Sequence, residues 1–210
     1  MLQSIDRAAG RRARPLPPNA RRSALVAATL PLIRRRGFDV TTRQIAAAAG
    51  VAEGTIFRVF PDKDSLIRAT IVAAFDPAPV VAALARIELS APLLARLTAA
   101  TGIVQAWLTG VIELMTALHS SRRAAGKPHL RRPRPPELIG AALARLLEPD
   151  AGQLRVPPLQ AARLLRLLLF AGSHPMINDG ELLTPGQIVS VILDGVRLRS
   201  DTPRKDPTTC

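Results

Sequence analysis

The residues best equipped for chemistry are few and scattered. The three histidines, His119, His129 and His174, have neither metal-ligand spacing nor a partnered nucleophile. The single cysteine is Cys210, which excludes an intrachain disulfide and Cys-rich metal motifs and fits a reducing cytoplasm. No Gly-rich phosphate cradle occurs. Ser173-His174 stand before Pro175 and read as a turn. The expectation is therefore no catalytic residue, no metal and no cofactor.

A different chemistry, hydrogen bonding in a nucleic-acid groove, fits residues 41–60. Thr41 with Gln44 has capping-box spacing, and Thr42 is the alternative cap. A short helix then runs to Gly50, and residues 51–60 form another after a tight turn. Two short helices joined by a Gly-containing turn are a helix-turn-helix unit. Its second helix must fit a groove about 12 Å wide. Ala46, Ala47, Ala48 and Ala49 are small enough for the first helix to brace it. Ile45, Ala49, Val51, Ile56 and Phe60 are the inward anchors, which leaves Glu53, Gly54, Thr55 and Arg58 outward. Gly54 and Thr55 let the backbone come close to base edges, and Thr can touch a thymine methyl.

Further helices must hold this unit. Apolar spacing at Leu25, Val26, Leu32 and Ile33 predicts a helix over 19–36 ended by Gly37, with Pro31 as a kink. Asp62 starts a fourth helix to residue 75. Asp62 and Asp64 suit its dipole, and Lys63 does not. Proline joints open the rest: 77–88, 92–120, 136–148, 157–172 and 184–198, with a basic, Pro-bearing loop over 121–136. The expected fold class is all-α.

The run Thr41-Thr42-Arg43-Gln44-Ile45-Ala46-Ala47-Ala48-Ala49-Gly50-Val51-Ala52-Glu53-Gly54-Thr55-Ile56-Phe57-Arg58-Val59-Phe60-Pro61-Asp62-Lys63 resembles the TetR/AcrR family of bacterial transcription regulators. The likeness covers about residues 19–75 and includes Gly37-Phe38. It implies a three-helix DNA-binding domain over 19–76 and a helical dimerisation and effector-binding bundle over 77–200. A basic arm, 1–18, and a polar tail, 201–210, flank them. It also implies a repressor released from a palindromic operator in double-stranded DNA by a small-molecule effector. By position, Thr42 and Arg43 start the bracing helix, where the family contacts phosphates and sometimes bases. Glu53, Gly54 and Thr55 form the base-facing turn, with Arg58 beside them. Phe57 stands where the family has a phosphate-binding Tyr, so only packing against the DNA backbone survives. Val59 stands where His or Tyr is common. Ala52 replaces a frequent Ser cap, a loss of about 1 kcal/mol. Lys63 matches a phosphate-binding Lys, which would account for a cation at the wrong end of a helix dipole.

The segment 157–172 is apolar nearly all round, and 184–198 carries a strong apolar face. Such helices need burial on two sides. The resemblance implies a homodimer four-helix bundle, with Leu164, Leu168, Ile188 and Ile192 at the interface. Residues Leu97, Val104, Leu108, Val111, Met115 and Leu118 form a seam in 92–120. Trp107, Val111 and Met115 are expected either to line an effector pocket or to be ordinary core. Gln105, Thr109 and Glu113 form a stripe expected to face solvent.

Net charge is +13, and residues 1–76 hold +7 of it. A basic surface draws nucleic acid or an anionic membrane. All bases but Lys63, Lys127 and Lys205 are Arg, a compositional bias that weakens charge as evidence. The arm residues Arg7, Arg11, Arg12 and Arg14 either enter a minor groove or touch nothing specific. Arg21-Arg22 before residues 24–33 has the layout of a signal peptide, but Arg34-Arg35-Arg36 follows at once and an amphipathic helix fits better. No unbroken apolar run reaches about 20 residues, so no membrane partner is expected. The competing classes are an enzyme and a basic protein that binds membrane or RNA without sequence choice.

Overall fold

The computed structural model describes residues 17–121 and 136–197. The arm, residues 122–135 of the loop, Leu198 and the tail lie outside the described residues. The described chain is helical, with no strand among the described residues beyond one antiparallel bridge between Leu154 and Arg197.

Helix α1 (Pro18–Arg36) begins with Pro in its first turn, where the missing N–H is harmless. Leu25, Thr29 and Ile33 recur every four residues and are buried on one stripe. Pro31 lies on the opposite, exposed side, as does Ala27, whose carbonyl it leaves without a helical donor. Water can serve that carbonyl, which explains why the proline is tolerated. The helix stops at Gly37, whose φ is +56°. A Cβ there would fall on the Ser121 hydroxyl and 2.6 Å from the Ala117 carbonyl. Only glycine fits both the backbone and the neighbour.

A short 3-10 turn (Gly37–Asp39) leads to α2 (Thr42–Ala49), α3 (Glu53–Phe57) and α4 (Lys63–Ala74). The second half comprises α5 (Ala78–Ala85), α6 (Leu93–Ser120) and α7 (Pro136–Leu147). A 3-10 segment (Glu148–Gln153), α8 (Pro158–Ser173) and α9 (Pro185–Val196) complete it. The third helix is five residues long rather than the ten expected: Arg58 is already its C-cap, and Val59 and Phe60 turn back on Ile56.

Two apolar cores result, and α6 belongs to both. Its first half, through Leu93, Leu97, Ala100 and Val104, packs with α5, α7, α8 and α9. Its last turns, through Leu114 and Leu118, join the core of α1, α2, α3 and α4. At 28 residues the helix is about 40 Å long. Contrary to the sequence expectation, α6 and the stretch Lys63–Ala85 are long and apolar enough, by length and composition alone, to cross a membrane. An average tolerates the Thr, Gly and Arg that break an unbroken run. In α6 the apolar content serves the two cores, and Arg96 is buried near its start. The Arg96 guanidinium donates to the carbonyls of Leu146 (2.7 Å), Leu89 (2.8 Å) and Ala91 (2.5 Å) and pairs with Asp150. A buried cation so fully served ties the start of α6 to the end of α7.

The proposed dimer residues separate. Ile188 is fully buried in the chain's own core and is not available to a partner. Leu168 and Ile192 are half-buried against that core. Leu164 is exposed, with Leu167 (59%), Phe170 (48%) and Val191 (59%). Helical period 3.6 turns these outward together, whereas an apolar count cannot tell the two sides of α8 apart. Gln105, expected in solvent, instead donates to the Leu183 carbonyl at 2.7 Å.

Candidate nucleic-acid interface

The geometry of residues 41–63 begins with caps. Thr41 and Gln44 form the reciprocal capping box, at 3.2 and 3.0 Å. Gly50 adopts the left-handed conformation, and the Val51 N–H closes on the Ala46 carbonyl at 3.0 Å. That tight reversal sets α3 across α2. Asp62 starts α4: its carboxylate accepts the Ser65 N–H at 2.6 Å. This backbone bond, with further help from the Ser65 hydroxyl and Arg68, holds the Asp62 carboxyl below its ordinary pKa.

Ile56 and Phe60 are fully buried and anchor α3 from beneath. The Arg22 guanidinium lies 4.2 Å from the centre of the Phe60 ring, which pins α1 over the same anchor. Above them Arg43, Glu53, Gly54, Phe57 and Arg58 are exposed, and Thr42, Thr55 and Lys63 are half-buried. Ala52 makes no side-chain cap, as its methyl requires. The neighbouring helix compensates: the Thr42 hydroxyl donates to the Glu53 carboxylate, joining the starts of α2 and α3.

Two features were not legible in the sequence. First, Lys63 Nζ donates to the Phe38 carbonyl at 3.1 Å. A cation at the start of α4 thus has an intramolecular reason to be there, and its unfavourable dipole position is no argument for a phosphate contact. Second, Arg22 covers Phe60. Nothing in the spacing signals either, because both join residues over twenty apart.

Gly54 is informative by what surrounds it. Its φ is not positive, and a Cβ built on it would meet nothing within 4 Å. Neither the backbone nor packing within the chain calls for glycine here. Glycine in a helix is less favourable than alanine by roughly 0.5–1 kcal/mol, yet it occupies the outward face between Glu53 and Thr55.

Trp107, Val111 and Met115 lie on the stretch of α6 that passes from one core to the other. Trp107 Nε1 donates to the Ala74 carbonyl at the end of α4 (3.1 Å). Val111 is buried, and Met115 packs on the core of the N-terminal helices. Among the described residues no group of three or more His, Cys, Asp or Glu is placed to hold a metal ion.

Comparison with known proteins agrees with this architecture. Residues 25–70 match the model for bacterial regulatory proteins of the tetR family. No curated protein matches the chain significantly. Among solved structures, the fold is similar to that of a TetR transcriptional regulator from Streptomyces coelicolor. The two are 24% identical, the alignment covers 84% of this chain and 98% of that one, and the TM-score is 0.54. A TetR-family protein from Mesorhizobium loti is 15% identical over 88% of this chain and 100% of its own, with a TM-score of 0.60. A transcriptional regulator from Rhodococcus is 17% identical over 85% and 98%, with a TM-score of 0.52. Residues 25–70 are thus similar in sequence to the N-terminal part of tetR-family bacterial regulatory proteins, and the remaining helices share the fold of the TetR-family structures.

Proposed function

We propose that the protein is a cytoplasmic repressor that binds a palindromic operator as a homodimer and is released by a small-molecule effector. The observation that carries the reading is Gly54: a helical glycine that the chain's own packing does not require, on the outward face of α3. A surface that must approach the backbone closely accounts for it, and the floor of a major groove is such a surface. Around Gly54, Glu53 and Thr55 face base edges. Thr42, Arg43, Arg58 and Lys63 supply polar or cationic contacts to the flanking phosphates. Phe57, 50% exposed, packs against the DNA backbone without a hydrogen bond to it.

In this reading residues 19–76 read DNA, and residues 77–200 pair the subunits and hold the effector. Pairing uses Leu164 with Leu167, Phe170 and Val191, an exposed apolar face on α8 and α9 that one chain leaves uncovered. A two-fold pair places its two reading helices about 34–36 Å apart, or a multiple of that. Trp107, Val111 and Met115 lie between the effector-holding half and the DNA-reading half, where they would pass a displacement along α6. The reading calls for no catalysis.

Selection of bound sites from random double-stranded DNA tests it directly. An inverted repeat with half-sites about one turn apart, or a multiple, supports the reading. Enrichment of no motif leaves a basic protein without sequence choice, and the reading fails.

A further inference from the structure

Thr41 and Thr42 stand side by side at the start of α2 and do different things. Thr41 is the cap: its hydroxyl accepts the Gln44 N–H at 3.2 Å. Thr42 is not needed for capping. Its hydroxyl crosses to α3 and donates to Oε1 of Glu53, eleven residues on. A hydroxyl has one proton, so a Thr42 that donates to Glu53 does not also donate to a phosphate. Glu53 is exposed on the outward face, and among the described residues no cation pairs with it. Beside it Gly54 leaves open space. One carboxylate oxygen is therefore fixed, and the other points the group's remaining accepting capacity away from α2.

A carboxylate on a face that meets DNA calls for an explanation. Phosphates repel it, and its desolvation is unfavourable unless a donor meets it. In the major groove, guanine offers only acceptors, and thymine an acceptor and a methyl group. Adenine offers its N6 donor beside the N7 acceptor, and cytosine offers the N4 donor alone. An ionised carboxylate only accepts, so adenine N7 repels it while cytosine presents nothing unfavourable. One free oxygen also matches one donor.

We propose that Glu53 reads the N4 amino group of a cytosine in each half-site, and that Thr42 is the positioning residue that holds Glu53 for it. An unheld glutamate would have to be ordered at the moment of binding. The hydroxyl of Thr42 does that ordering in the free protein. The inference rests on the operator-binding reading above and narrows it at one point. Thr42 acts through Glu53, and the phosphate contacts fall to Arg43, Arg58 and Lys63.

The test uses the full chain. Selection from random double-stranded DNA supplies an operator. Fluorescence anisotropy at one salt concentration then compares it with every single base-pair replacement and with random DNA. Replacing one particular cytosine should weaken binding by about fivefold per half-site, the lower end for a mismatched pair because a single hydrogen bond is lost. Glu53→Gln should move the preference at that position, and at no other, from cytosine to adenine, since an amide pairs with both N6 and N7. Thr42→Val keeps the side chain's shape and removes its proton. It should erase most of the cytosine preference while random DNA binds as before, and Thr42→Ser should restore the preference. If Thr42→Val weakens operator and random DNA alike, the hydroxyl serves a phosphate and the positioning role is overturned. If it lowers the melting temperature while the cytosine preference stands, the bond only braces α2 on α3, and the role is equally overturned. A selected motif in which Glu53→Gln moves no base preference overturns the cytosine reading and leaves operator binding intact. Enrichment of no motif overturns both.

Discussion

Replacing Gly54 by alanine separates stability from recognition. The position is helical, its φ is negative, and the space around a new methyl is open. The folded chain accepts the methyl without strain, while the unfolded chain loses conformational freedom. The expected gain is about 0.4–1 kcal/mol, toward the lower end because Gly54 is in the first turn of a short helix. At this chain length that raises the melting temperature by roughly 1–4 °C. On DNA the same methyl stands between the α3 backbone and the base edges. Lifting the helix enough to break one base contact costs about 1–3 kcal/mol per half-site. Two half-sites then weaken operator binding by about 30-fold at the least and up to about 20,000-fold. Random DNA, held by charge, should change little. Fluorescence anisotropy on a selected operator and on random DNA at one salt concentration, beside a thermal melt, measures all three. If melting rises and the operator affinity stays put, nothing approaches Gly54 closely, and the glycine loses its functional explanation.

Thr55→Ala should reduce the operator-to-random affinity ratio by about tenfold or more per half-site with no change in circular dichroism; an unchanged ratio moves base reading to Glu53 and Arg43. For Lys63→Ala, a phosphate contact predicts a salt slope shallower by roughly one unit. A role confined to the Phe38 carbonyl predicts a lower melting temperature with an unaltered slope. Leu167→Arg should dissociate the dimer and weaken operator binding together, as sedimentation would show; a variant still dimeric at micromolar concentration refutes the α8 face. Leu168→Arg is a poorer probe, since Leu168 packs on the chain's own core. The Asp62 carboxyl has its folded-state pKa depressed by the Ser65 N–H. Its capping of α4 is therefore complete above the unfolded pKa and fades as pH falls through the folded one. Asp62→Ala should lack this acid-side loss, measurable as a flatter dependence of melting temperature on pH in the carboxylate range.

Much of the N-terminal helical unit was legible along the chain because its determinants are local. Thr41 with Gln44, Gly50 in left-handed backbone, Asp62 ahead of α4, and Ile56 with Phe60 on one face each depend on residues a few positions apart. Caps, turns and helical period act over that distance, so spacing alone specifies them. The same reasoning located the α6 helix and the Thr184 start of α9.

Tertiary packing decided the rest. Lys63 on the Phe38 carbonyl, Arg22 over Phe60, and Thr42 bonded to Glu53 join different elements, and no periodicity reports which side chains meet. The two apolar sides of α8 look alike as sequence. Only the position of α6 and α9 makes Leu165 and Leu169 core and leaves Leu164 and Leu167 exposed. Ile188 went from expected interface to buried core for the same reason. Thr101 and Ser173, whose hydroxyls are buried without a hydrogen-bond partner, are another such case. Whether a hydroxyl is buried, and whether a carbonyl stands within reach, depends on how distant helices settle against one another.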